Sequence, residues 1–144
     1  MDEIYHQALK LLRRRDYTVA QLREKLAGKF GDVPEEVIQR LREKRFLDDV
    51  RYVENMVARR RDFHPSLVRE ELLNSGVLPE IVEQAVSGND WPRLQDVVRA
   101  RMIDWKLQAP IHRKDASRLF RALARLGYPE DEIREELEQV QEQH

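Results

Sequence analysis

Apolar residues recur along this chain three or four positions apart, as they do on the buried face of an amphipathic helix. The first run holds Ile4, Ala8 and Leu12, and eight further runs of the same kind follow. Short breaks with glycine, proline or capping residues separate the runs. The pattern predicts an all-α protein.

Several polar residues predict where individual helices begin. Thr18 has the spacing of a capping box with a glutamine three positions later, and Asp48 is placed to cap a helix that runs to about residue 61. Pro34 suits the first position of the third helix. At the seventh helix we expect Asp90 to be the cap and Pro92 to lie in the first turn.

The pattern of the first three helices occurs again in the second and third parts of the chain. Val68 takes the place of Leu22, and the prolines that open every third helix are 45 and then 50 residues apart. This spacing is typical of repeat proteins, whose modules contact mainly their neighbours. We therefore predict three tandem three-helix repeats, 1–47, 48–88 and 89–144, which form an elongated, curved array.

Composition excludes several classes of function. The 144 residues have a net charge of −1 and include no cysteine, so disulfides and thiolate catalysis are excluded. The four histidines are scattered, and no phosphate loop, hydrolase elbow or metalloprotease motif is present. We expect no enzymatic activity, no metal and no cofactor. The acidic N-terminus and the absence of a long apolar run predict a cytoplasmic location.

Positive and negative charges are segregated along the chain, although the net charge is small. Residues 91–128 carry a balance of +6 and residues 129–144 a balance of −6. Four cations of the eighth helix are spaced to lie on one side of it, opposite the apolar face. This cationic ridge consists of Lys114, Arg118, Arg121 and Arg125. It suits phosphates or an acidic groove, and Arg99 and Arg101 of the preceding helix could widen it. The alternative is a solvated face, which the acidic last helix could neutralise.

Two basic triplets close the first helices of the first and second repeats. They are Arg13-Arg14-Arg15 and Arg59-Arg60-Arg61. Their repetition suggests a shared binding role, but cations also stabilise the negative end of a helix dipole. Two interpretations are also open for Trp91 and Trp105. Their rings could stack on nucleic-acid bases or pack inside the protein, and we favour packing.

The junction between the first two repeats carries the most distinctive motif. It runs Phe46-Leu47-Asp48-Asp49, followed by Arg51 and Tyr52. An aromatic-Leu-Asp-Asp step followed by Arg-aromatic resembles the signature of the RecX family of bacterial recombinase regulators. Similar family features run through nearly the whole chain, and Arg45 stands where the family commonly has glycine.

The resemblance implies a function that composition and periodicity do not reach. RecX-like proteins are built from three helical repeats, bind the RecA nucleoprotein filament and suppress its growth, ATPase, strand exchange and coprotease functions. The expected partner is therefore that filament. We also expect weak binding of bare single-stranded or double-stranded DNA, and a protein that is a monomer. The alternatives are a direct DNA binder with helix-turn-helix-like modules and a scaffold for another protein.

Overall fold

The computed structural model describes residues 2–141, and within this range the chain forms nine α-helices. They are α1 (Asp2–Arg14), α2 (Val19–Phe30), α3 (Glu35–Glu43), α4 (Asp49–Arg59), α5 (Pro65–Asn74), α6 (Pro79–Ser87), α7 (Leu94–Asp104), α8 (Arg113–Arg125) and α9 (Glu130–Glu138). The only β pairing among the described residues is one isolated bridge between Ile111 and Gln141. The all-α prediction is confirmed.

Two helix starts follow the predicted capping. The side chain of Thr18 accepts from the N–H of Gln21, whose own side chain accepts from the N–H of Thr18, so the capping box is complete. Asp48 accepts from the N–H of Arg51 at 3.2 Å, as expected of an N-cap. Helix α4 ends at Arg59, two residues before the expected end.

Other helix starts were predicted wrongly. Helix α7 begins at Leu94, so Asp90 is not its cap and Pro92 is not in its first turn. A residue before proline is disfavoured in helical backbone, which keeps Trp91 out of the helix, and the carbonyl of Asp90 accepts from the guanidinium of Arg61. Pro34 is the N-cap of α3 rather than its first residue, since its ψ of 136° is extended.

The chain divides into two compact units. Unit 1 contains the residues up to Arg59 together with Arg69–Gly88, and unit 2 contains Arg60–Val68 and the residues from Asn89 onward. Helix α5 therefore contributes its first residues to unit 2 and the others to unit 1. The predicted repeat boundaries and the curved array stay predictions.

Each unit buries its own apolar core. In unit 1, Leu22 and Leu26 of α2 pack with Ile38 and Leu41 of α3. In unit 2, the corresponding core is formed by α7, α8 and α9. Its fully buried members are Leu119, Leu123 and Ile133.

Hydrogen bonds in corresponding places occur in both units, although their donors differ. In unit 1 the Thr18 hydroxyl donates to the carbonyl of Ser75, and in unit 2 the N–H of His64 donates to the carbonyl of Leu126. Thr18 and His64 precede the first residues of α2 and α5, while the two acceptors lie just after α5 and α8. The start of one middle helix is thus bonded to the end of the next.

A second pair of contacts has the same arrangement. Asp16 accepts from the Asn55 amide, and Asp62 accepts from the Arg101 guanidinium, 39 residues away in both cases. Asn55 belongs to α4 and Arg101 to α7, the first helices of the predicted second and third repeats. These recurring contacts support the repeat hypothesis.

Candidate partner-binding surface

Helix α8 holds the whole cationic ridge on its exposed side. The imidazole of His112 caps the helix by accepting from the N–H of Lys114 at 3.1 Å. Ala116, Leu119 and Leu123 lie on the opposite side and are buried in the core of unit 2. The buried stripe fixes the rotation of α8, and this rotation turns the four cations to solvent.

The ridge residues differ in how far they are already engaged. Arg118 pairs with Asp115 at 3.3 Å, and its guanidinium lies 4.4 Å from the centre of the Trp105 ring. Lys114, Arg121 and Arg125 are exposed and form no ion pair with any residue in the range 2–141. These three cations are the part of the ridge that is open to a partner.

The acidic helix α9 does not neutralise the ridge by direct pairing. Its one internal ion pair joins Arg134 to Glu130 at 3.4 Å, and both side chains are more than 60% exposed. An exposed pair of this kind contributes little. The described ion pairs therefore give no support to neutralisation of the ridge by the last helix, and the alternative of a solvated face stays open.

Arg99 and Arg101, which were predicted to widen the ridge, have different surroundings. Arg99 is exposed on α7. Arg101 is half-buried, pairs with Asp62 at 3.4 Å and lies 5.8 Å from the Trp105 ring. Trp105 is therefore occupied by two guanidiniums and packs against the core of unit 2, in agreement with the packing interpretation. Arg101 is therefore engaged by contacts within unit 2, whereas Arg99 is exposed.

The two basic triplets are also not equivalent. Arg13 and Arg14 are exposed at the end of α1, and Arg59 is exposed at the end of α4. Arg60 is half-buried, and its guanidinium lies 5.3 Å from the centre of the Phe63 ring. Of the four candidate arginines in the two triplets, three are therefore exposed to solvent and one lies against an aromatic ring.

The junction motif is occupied by structural contacts. Leu47 and Tyr52 are buried, whereas Phe46 is 45% exposed. The guanidinium of Arg51 reaches back to the carbonyls of Arg45 and Phe46, at 2.7 and 3.4 Å, and so satisfies acceptors that follow the end of α3. The motif joins α3 to α4, and Phe46 is its exposed side chain.

Asp49 makes a contact that the sequence did not predict. Its carboxylate accepts from the N–H of Val19 at 2.9 Å, at the first residue of α2. Burial raises the pKa of the Asp49 carboxyl, although the Val19 N–H and the positive charge of Arg42 act in the opposite direction. Asp49 thus links the start of α4 to the start of α2. No spacing rule relates residues 30 positions apart, so the sequence holds no signal for this bond.

Two other kinds of feature are absent from residues 2–141. No group of three or more His, Cys, Asp or Glu side chains is placed to hold a metal ion. None of the helices in this range has the length and apolar character to cross a bilayer.

Fold and surface together define a class: an all-helical protein with an exposed cationic helix face. The regulatory protein RecX of Trichlorobacter lovleyi is 34% identical over 143 residues, with 92% of each chain covered. The regulatory protein RecX of Thermus thermophilus is 35% identical over 124 residues, which cover 85% of this chain and 81% of that relative. The chain belongs to the RecX family.

The fold agrees with this assignment. The crystal structure of RecX from Lactobacillus salivarius matches 96% of this chain and 95% of its own, with a TM-score of 0.63. Its sequence identity is 17%, so this likeness concerns the fold alone. No family model matches the chain.

Proposed function

We propose that this protein is a non-enzymatic, monomeric, cytoplasmic regulator that binds the RecA–DNA filament and inhibits its extension, ATPase, strand exchange and coprotease functions. Membership of the RecX family supports the regulatory role. The observation that carries the proposed mode of action is the set of exposed cations on α8, Lys114, Arg121 and Arg125.

A surface of this kind suits a repetitive, anionic assembly. The charge of each exposed guanidinium or ammonium is weak in isolation because solvent screens it. Several such patches that engage neighbouring subunits of one filament gain affinity through effective concentration. Arg13, Arg14, Arg59 and Arg99 are exposed candidates for additional contacts.

The test is a titration of the protein into RecA, ATP and single-stranded DNA, with ATP hydrolysis as the readout. The test variant changes Lys114, Arg121 and Arg125 to Glu and leaves Arg118 on Trp105. The matched control changes Lys10, Lys25 and Lys29, three exposed lysines of unit 1, to Glu. We expect the test variant to need at least about tenfold more protein for half-inhibition, and the control to inhibit like the wild type.

The alternative, a direct DNA-binding protein, is tested with the same set of proteins. Anisotropy of a labelled single-stranded oligonucleotide is measured at two salt concentrations. Weak binding of bare DNA together with strong inhibition supports the proposed function. Tight, steeply salt-dependent DNA binding without inhibition of RecA overturns it in favour of the DNA binder. Undiminished inhibition by the folded test variant shows that the ridge is not the contact surface.

A further inference from the structure

A groove runs between α8 and α9 on a different side of α8 from most of the ridge. Its volume is about 420 Å³. The α8 wall follows one stripe of the helix from Arg113 to Arg121, and the opposite wall consists of Arg134, Leu137 and Glu138 of α9 and of Gln141 beyond the end of that helix. Because the residues of the α8 wall have helical spacing, the groove follows this helix for about 12 Å. A segment of polypeptide fits such a shape.

The groove combines an apolar floor with a cationic rim. Ala116, Phe120 and Leu137 supply the floor. Ala116 and Leu137 belong to the buried core of unit 2, and Phe120 packs against it. A ligand that buries an apolar group on this floor gains about 25 cal/mol per Å² of apolar surface.

Three guanidiniums and a single carboxylate line the rim. The guanidiniums belong to Arg113, Arg121 and Arg134, and the carboxylate to Glu138. Arg113 and Arg121 are exposed and form no ion pair within the described part of the chain. Arg134 pairs with Glu130 in a solvent-exposed contact that a stronger anion can displace. The rim therefore favours an anionic ligand.

We propose that this groove binds an acidic protein segment that carries an apolar anchor side chain. The inference deepens the proposed function and rests on it, since the segment would belong to the regulated partner. Nucleic acid fits less well. The ring of Phe120 is half-buried with the Arg134 guanidinium 5.5 Å from its centre, and the Glu138 carboxylate would face a phosphate backbone.

Exposed cations allow a matched pair of variants. The groove variant combines Arg113→Glu and Arg121→Glu, and the control variant combines Lys25→Glu and Lys29→Glu, two exposed lysines of unit 1 that do not line the groove. Both variants change the net charge of the protein by the same amount. Circular dichroism checks that both remain folded.

The probe is a short fluorescein-labelled peptide of Asp and Glu with one central Phe, and its partner peptide has Ala at that position. We expect the full-length protein to bind the Phe peptide about tenfold more tightly than the Ala peptide. The groove variant is expected to lose about tenfold in affinity, and the control variant to stay within about twofold. Equal losses in the two variants, or equal affinities for the two peptides, overturn the proposal.

An oligothymidylate competitor completes the test. Displacement of the peptide by the oligonucleotide, with oligonucleotide binding lost only in the groove variant, would assign the groove to nucleic acid and overturn the proposal. All of these measurements omit RecA, so they are independent of the ATPase titration. Peptide binding without RecA inhibition refutes the proposed function alone, and RecA inhibition without peptide binding refutes this inference alone.

Discussion

The hydroxyl of Thr18 donates a 2.6 Å hydrogen bond to the backbone carbonyl of Ser75, 57 residues further along the chain. The same oxygen accepts from the N–H of Gln21, so one buried hydroxyl caps α2 and satisfies a carbonyl beyond the end of α5. A buried carbonyl that loses its donor costs about 1–3 kcal/mol. This oxygen is therefore essential to how unit 1 is held together.

Thr18→Val keeps the shape of the side chain and removes its hydroxyl. We expect the free energy of unfolding to fall by roughly 2–4 kcal/mol, since both the cap and the Ser75 bond are lost. The control, Thr18→Ser, retains both bonds and removes one methyl group, at a cost of about 1 kcal/mol. Urea denaturation followed by circular dichroism measures both variants, and similar losses in the two would contradict the importance of the hydroxyl.

Arg45→Gly is expected to stabilise the protein. Arg45 has a φ of +60° at the end of α3, where the N–H of Phe46 bonds to the carbonyl of Leu41 in a Schellman motif. A side chain in this left-handed conformation costs about 1 kcal/mol relative to glycine. The free energy of unfolding of the Gly variant should therefore rise by about 1 kcal/mol, measured as a higher midpoint of urea denaturation. Arg45→Ala keeps the unfavourable Cβ and should not show the gain.

The opposite change at an equivalent helix end gives a second check. Gly76 has a φ of +84°, and a Cβ built there would lie 2.4 Å from the Cβ of Ala20. Gly76→Ala should therefore lower the free energy of unfolding by about 2 kcal/mol or more, in the same urea measurement. A neutral effect would mean that the end of α5 and the start of α2 do not approach as closely as described.

Asp49→Asn should change how stability depends on pH. Burial raises the pKa of the Asp49 carboxyl in the folded protein above its usual value of 3.8. The folded state therefore binds the proton more tightly than the unfolded state, and ionisation of Asp49 lowers stability as the pH rises from the unfolded pKa through the folded one. The amide of Asn cannot ionise and can still accept from Val19.

We therefore expect the stability of the Asn variant relative to the wild type to increase with pH across this acidic window. Above the folded pKa the difference becomes constant. Urea unfolding of both proteins at several pH values between about 3 and 6 measures this difference in stability. A difference that falls with pH would show that the hydrogen bond from Val19 and the charge of Arg42 outweigh burial.

Arg99 and Arg101 should separate a binding role from a structural one. Arg101→Ala removes the ion pair to Asp62 and the contact with Trp105, and should cost about 1–2 kcal/mol of stability. Arg99→Ala, on the exposed side of the same helix, should stay within about 0.5 kcal/mol. Tryptophan fluorescence during urea unfolding is a suitable probe, since Trp91 and Trp105 both belong to unit 2. Equal effects would contradict the distinction.

Local rules predicted the helices of residues 2–141 and two of their caps. The Thr18 capping box, the Asp48 cap and the exposed stripe of α8 all follow from residues within a few positions of one another. The start of α7 was predicted wrongly because Asp90 and Pro92 are good capping and first-turn residues in isolation. A contact from Arg61, 29 residues earlier, engages the Asp90 carbonyl instead.

Sequence patterns could not predict the contacts that decide which cations are exposed to a partner and which are engaged within the protein. Arg101 and Arg118 look like Arg99 and Arg125 in the sequence, but the Trp105 ring engages the first two. The groove between α8 and α9 was missed for a similar reason, because its walls come from two helices. The apolar spacing of each helix predicts burial of Leu137 and Ala116, but it does not reveal that a partly open space lies between them.

The bonds from the start of one middle helix to the end of the next determine how the protein could be dissected. A fragment cut in the loop after α3 would separate Thr18 from Ser75 and Val19 from Asp49. The isolated piece would present the first turn of α2 to water with its long-range partners missing. Truncations that follow the loops would therefore damage the part that they are meant to isolate, and point substitutions are the better tool for mapping this chain.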